Sequence, residues 1–180
     1  MRLVRCASCT RWRTSRRAHT PEEWSLDYYL EILGRYRTLG DRLGEADATA
    51  SIGDAHIRRG ELEPAIQRLN EALVIYQELG DRPSQARTLH LIGSAHAHAE
   101  AYGDAERRYG EAADIGRETG DLELAAQEWI VASKVILQGA GPLAAVEYLQ
   151  RVADLHLGDE ESLLLMVRGQ MAQYHEREGN

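Results

Sequence analysis

The residues best suited to chemistry are the seven histidines, of which His90, His96 and His98 share one short stretch and His56 stands forty residues before His96. Imidazoles bind zinc when their nitrogens converge to about 2.0–2.1 Å from one ion. On a helix, however, His90 and His98 lie about 12 Å apart, too far to share it. His90 could pair with Ser94 one turn on, but no third ligand is evident. His56 and His96 fill one inward slot, taken by Ile136 forty residues later, so packing accounts for them and no metal is expected. Cys6-Ala7-Ser8-Cys9 is half of a zinc-ribbon spacing with only His19 nearby, and reads as a pair of unstructured thiols, reduced in the cytoplasm. There is no phosphate-cradling glycine loop, no His-Glu-x-x-His and no nucleophile elbow. Glu22-Glu23 and Glu160-Glu161 begin helices, where carboxylates favour the positive end of the dipole. A non-catalytic chain with no cofactor is expected.

The elements that would position these side chains follow from a strict period. Leu39-Gly40-Asp41 recurs as Leu79-Gly80-Asp81 and Thr119-Gly120-Asp121, and residues 41–80 and 81–120 share fourteen identities in forty positions. A period of this size marks a supersecondary unit that buries its apolar face only by stacking on its neighbours. Within each unit, Ala46, Thr49, Ile52, Gly53 and His56 are matched by Ala86, Leu89, Ile92, Gly93 and His96, and then by Ala126, Trp129, Ala132, Ser133 and Ile136. Steps of three and four mark one helix face. A second helix carries Ala65, Leu69, Ala72 and Tyr76, matched by Ala105, Tyr109, Ala112 and Gly116 and more weakly by Ala145, Leu149, Val152 and His156. The small residues permit close helix crossings. With Gly and Pro as punctuation, helices are predicted at 21–39, 44–59, 63–79, 83–99, 103–119, 122–138, 142–157 and 160–177, with no strand. The period slips after Asp121, since Leu157-Gly158-Asp159 arrives two residues early.

Composition sets the outer bounds. At 43% hydrophobic content, 180 residues can bury a continuous core, and no window approaches a membrane span. Residues 1–20 hold six arginines and no acid, leaving 15 basic against 29 acidic residues beyond them. The acidic body repels nucleic acid phosphates, and a cytoplasmic location is the default. The leader shows no apolar periodicity and is predicted to be disordered. Its composition fits a targeting peptide, a basic arm with Trp12 among Arg11, Arg13, Arg16 and Arg17, or residues of cloning or a misassigned start codon, the last being favoured. Thr20-Pro21-Glu22-Glu23 then reads as a helix start.

The pattern Ala46-x-x-Thr49-x-x-Ile52-Gly53-x-x-His56-x-x-x-Gly60, followed by Ala65, Leu69 and Ala72 and repeated from Ala86 to Ala112, resembles the tetratricopeptide repeat in its forty-residue form. The likeness covers about residues 25–180. Ser25, Tyr29, Ile32, Tyr36 and Leu39 resemble the second helix of a preceding unit, and Met171, Ala172, His175 and Gly179 the first helix of a following one. Leu62 replaces the usual aromatic between the helices, and Ala140-Gly141-Pro142 departs from the usual turn. The resemblance implies an all-α, right-handed superhelix of stacked antiparallel hairpins: a half-unit at 21–40, units at 41–80, 81–120 and 121–158, and a half-unit at 159–180. Glu78-Leu79-Gly80-Asp81-Arg82 and Ala72-Leu73-Val74-Ile75-Tyr76 are similar to arrays in large bacterial regulators and in scaffolds of the spindle-orientation and kinesin light chain type. Lys134 is the single lysine, which suits a GC-rich bacterial genome and so the regulators.

Such arrays bind partners in a concave groove lined by their first helices. By matching slots, the resemblance places there Asp47, Ala50, Asp54, Ile57 and Arg58; Arg87, His90, Ser94, Ala97 and His98; and Gln127, Ile130, Lys134, Leu137 and Gln138. An extended peptide or amphipathic helix, oriented by Arg58, Arg87 and Lys134, is the expected occupant. The expected function is a protein-interaction module, the sensor or scaffold part of a bacterial regulator; the alternative is a peptide or small-ligand receptor with an apolar pocket between Ile57, Ile130 and Leu137. The family's carboxylate clamp for chaperone tails is not expected, because Ala50, Asp54 and Ser94 stand in its Lys and Asn slots. At the C-terminal end Leu164, Leu165, Val167, Met171 and Ala172 are expected to be only partly covered, which predicts an excised piece, unusual packing of the last helix, or pairing of two chains there.

Overall fold

The computed structural model describes residues 21–153 and 161–178, and every element among them is a helix. In chain order these are α1 (Pro21–Leu39), α2 (Arg42–Arg58), α3 (Leu62–Leu79), α4 (Arg82–His98), α5 (Tyr102–Thr119), α6 (Leu122–Ala140), α7 (Pro142–Val152) and α8 (Glu161–Glu178). Each packs mainly on its neighbours in sequence, so the core is a ribbon between two layers of helices. The readings of residues 1–20, Cys6 and Cys9 included, and of Leu157-Gly158-Asp159 lie outside the described residues.

The Gly-Asp pairs explain the period in atomic terms. Gly40, Gly80 and Gly120 take left-handed φ of 69°, 69° and 79°, a conformation that a Cβ disfavours. This lets the amides of Asp41, Asp81 and Asp121 turn back to the carbonyls of Tyr36, Tyr76 and Gly116 at 2.8–3.0 Å, closing each helix with a Schellman-type bond. The same aspartates cap the next helix, their carboxylates accepting from the amides of Gly44, Ser84 and Leu124. One dipeptide therefore ends a helix and starts another. Arg42 reaches Glu78, and Arg82 reaches Glu118, fastening the start of each unit to its end. Leu122 stands in that slot of the third unit.

Between the helices of a unit, Ala65, Ala105 and Ala145 are fully buried. A Cβ on Gly53 would lie 2.6 Å from Leu69 Cγ, so this crossing depends on glycine. The departures from the predicted bounds lie in the third unit. Alanine at 140 does not break the helix as Gly60 does, so α6 runs to Ala140, and Gly141 with Pro142 makes the turn. Of the helix predicted over 142–157, Pro142–Val152 is helical and Ala153 is buried next to it, while residues 154–157 lie outside the described residues. In α8, Val167 and Tyr174 are buried, and the Tyr174 hydroxyl lies 3.2 Å from the Ser133 hydroxyl of α6. Leu164 and Met171 are half-buried, whereas Leu165 is 63% exposed and Ala172 is exposed.

Candidate functional site

The free face of the first helices forms a trough with a hollow between α2 and α4. There Asp47, Ala50, Ser51 and Asp54 face Arg87, Thr88 and Leu91, with Tyr76 behind them, around a hollow of ≈ 470 Å³. Four of the predicted groove residues, Asp47, Ala50, Asp54 and Arg87, thus meet in one place. Asp47 accepts a 2.7 Å hydrogen bond from the Tyr76 hydroxyl. Burial, then that bond, raises the Tyr76 phenol above its ordinary range. Asp54 is engaged too, 3.0 Å from Arg58 one turn on. Arg87 and Lys134 are exposed and join no ion pair among the described residues. Two of the three cations expected to orient a partner are therefore available, and the third is neutralised by its own helix.

Further along the trough, His90 of α4 meets Glu128 of α6. Its Nδ1 lies 3.0 Å from both carboxylate oxygens. Glu128 is 6% exposed, a buried carboxylate that needs a partner. The hydrogen bond to Glu128 holds the His90 pKa above its usual value, against the opposing effect of burial. The His90 ring also stands edge-on to Tyr109 with centroids 5.3 Å apart. The Tyr109 phenol is pushed up to about 12 by burial and then by the charge of Glu128, while its hydrogen bond with Ser94 acts in the opposite sense. His90, Ser94, Tyr109 and Glu128 make one polar cluster set into the wall between the second and third units.

The other predicted residues are scattered. His98 is exposed and bonds back to the Ser94 carbonyl at 2.7 Å. Gln127 and Gln138 are exposed, and Ile57, Ala97 and Leu137 are half-buried. Ile130 does not line the surface: at 9% exposure it belongs to the core shared by α6, α7 and α8. The slot that holds Ala50 and His90 on the open face is closed over in the third unit, where Val167 and Tyr174 of α8 join that core. Ile57 packs in a different cluster from Ile130 and Leu137, so the three do not form an apolar pocket. His56, read as packing, is half-buried with its Nδ1 2.6 Å from Glu61.

Sequence reasoning missed Tyr76 and Glu128. Tyr76 was read as core, which it is at 2% exposure, yet its hydroxyl reaches the trough. Glu128 had a signal: its slot holds Ala48 and Thr88 in the earlier units, and a carboxylate at a buried small-residue position requires a counter-group. Among the described residues no group of three His, Cys, Asp or Glu side chains could hold a metal ion, and no helix is long and apolar enough to cross a membrane.

A family model for the tetratricopeptide repeat matches residues 48–118. No curated protein matches the sequence. Among solved structures, the chain is similar to a signal-transduction ATPase with numerous domains that carries a tetratricopeptide repeat sensor, from Pyrococcus horikoshii, with a TM-score of 0.67 and 16% identity over 88% of this chain and 25% of that one. It is also similar to BtubC from P. vanneervenii, with a TM-score of 0.63 and 18% identity over 89% of this chain and 68% of that one. A putative kinesin light chain from P. anserina with nearly identical TPR-like repeats gives a TM-score of 0.57 and 15% identity over 89% of this chain and 90% of that one. This chain spans a quarter of the length of the first. At these identities the likeness is one of fold. Taken with the capped forty-residue period and the paired helices, it identifies tetratricopeptide repeats at residues 48–118 within a tetratricopeptide-like helical solenoid.

Proposed function

We propose that the trough of the first helices holds a peptide or helix of a partner protein, and that the chain serves without catalysis as a sensor or scaffold segment of a larger cytoplasmic regulator. Tetratricopeptide repeats generally mediate protein–protein interaction. The observation that carries the reading here is the hollow between α2 and α4, where exposed Arg87 joins no ion pair among the described residues and stands beside the half-buried apolar side chains of Ala50 and Leu91. A charge beside apolar surface suits a segment that lays an aliphatic side chain in the hollow and a carboxylate against the guanidinium. The sensor repeats of the Pyrococcus horikoshii protein support the regulatory context. The small-ligand alternative finds no support at its expected place, since Ile57, Ile130 and Leu137 do not form a pocket.

A partner captured by pull-down with the full chain tests the reading. Changing Arg87→Glu together with Lys134→Glu should weaken its binding about tenfold, or about 1.4 kcal/mol, with an unchanged thermal melt. Undiminished capture by the double variant would overturn the groove assignment. The exposed Leu165 and Met166 of α8 favour pairing of two chains there. Light scattering that gives a clean monomer would count against it.

A further inference from the structure

The other side of the array, formed by the second helices, carries a hollow of ≈ 350 Å³ between α5 and α7. Glu106, Gly110 and Asp114 line it from successive turns of α5, Tyr148 and Arg151 from α7, and Trp129 of α6 from within. One unit earlier the corresponding slots hold Ile66, Asn70, Val74, Leu89 and Arg108. There the Asn70 amide folds back on the Ile66 carbonyl at 2.9 Å, and Arg108 is held by Glu111 at 2.9 Å. In the later unit two aliphatic walls have become carboxylates, an aliphatic residue has become tryptophan, and a cation has become tyrosine. Gly110 leaves the middle open, for a Cβ there would meet nothing within 4 Å.

The charges that line the hollow are two carboxylates and one arginine. Glu106 is half-buried and joins no ion pair among the described residues. Asp114 has Arg117 at 3.4 Å, both exposed. Arg151 at the rim is exposed and also joins no ion pair among the described residues. The Tyr148 phenol is raised well above its ordinary range, first by burial and then by the charge of Glu106, with Arg151 acting in the opposite sense and Asp114 adding a smaller push upward. Aromatic rings and carboxylates around one small space favour a cation that can use both. No group of His, Cys, Asp and Glu among the described residues suits a metal. A guanidinium, being planar, weakly hydrated and able to stack, fits better than a compact ammonium.

We propose that this hollow is a binding site for an organic cation, the guanidinium of an arginine side chain carried by a partner, held by Glu106 and Asp114 against the rings of Tyr148 and Trp129. The site lies on the face opposite the trough and has its own occupant. It is tested by titrating the full chain at low salt with the capped tripeptide glycyl-arginyl-glycine, followed by NMR shifts of the Trp129 indole. The neutral citrulline analogue is the control. Saturable binding of the arginine peptide is expected, with the citrulline peptide weaker by about tenfold. The double variant Glu106→Gln, Asp114→Asn should lose about tenfold for arginine while its thermal melt is unchanged, because Asp114 is exposed and the half-buried Glu106 holds no ion pair among the described residues. Arg151→Ala should bind more tightly, about twofold, by removing a like charge from the rim. Arg87→Glu, on the opposite face, should leave binding unaltered, which separates this site from the trough. Equal binding of citrulline and arginine, an unchanged affinity in the double variant, or no saturable response would each overturn the proposal.

Discussion

The junction between the first and second units and the junction between the second and third share one backbone plan and are closed by different side chains. In the first, Tyr76 fills the slot at the end of α3, its carbonyl accepts from Gln85 of α4 at 3.0 Å, and its hydroxyl reaches Asp47 of α2. In the second, the same slot holds Gly116, and the backbone of α6 closes in against it. The polar link along the trough is made there by His90 and Glu128. The lesson is that the caps fix where helices begin and end, whereas each interface finds its own side-chain solution to the same spacing.

The largest effect that could break this comparison is at Gly116. A Cβ there would stand 2.8 Å from Ala125 N and 2.9 Å from Asp121 O, both backbone atoms that cannot step aside. Gly116→Ala should therefore destabilise the array by about 2–3 kcal/mol, despite the roughly 1 kcal/mol that alanine contributes to helix propensity. A chemical denaturation midpoint equal to the parent's would show that the second junction is not closed by backbone contact.

A smaller effect of opposite sign is expected at the turn inside the second unit. Gly60 takes φ 74° in the first unit, and Glu100 is forced to φ 58° in its place. Glu100→Gly should stabilise by about 0.5–1 kcal/mol, read as a raised melting temperature. A lowered one would mean that the glutamate side chain earns its place.

The finest distinction is in pH. The His90 pKa is raised in the folded state by Glu128, so this link contributes stability that is fully present below the unfolded value of 6.5 and is lost as pH rises through the higher folded value. Stability should decline from about pH 6.5 upward, and Glu128→Gln should flatten that decline. Because His90 is partly exposed, the change should stay within about 1 kcal/mol. Denaturation curves for the two proteins with identical slopes between slightly acid and slightly alkaline buffer would remove His90 from the account.

Much of this architecture was legible beforehand, and the reason lies in its locality. Asp81 caps α4 through an amide three residues on and closes α3 through a carbonyl five residues back, so both ends are written within one short phrase. The third unit was less legible because Ala140 replaces the expected glycine and lets α6 run on. Of the residues expected in the groove, Asp47, Asp54 and Arg87 stand around one hollow. Slot matching could not foresee that Ile130 would be covered where Val167 and Tyr174 of α8 join its core, or that Arg58 would be occupied by Asp54.

What the sequence by itself determined is the period, the helices and their caps, all set by backbone geometry and contacts within a few residues. Only the tertiary structure decided which polar groups meet. Tyr76 with Asp47, His90 with Glu128, and Ser133 with Tyr174 lie 29, 38 and 41 residues apart. Those partnerships, and the hollows between α2 and α4 and between α5 and α7, depend on how one hairpin is stacked on the next. That stacking is set by the bulk of residues such as Gly116 and Tyr76 in matched slots, which a forty-residue pattern treats as equivalent and packing does not.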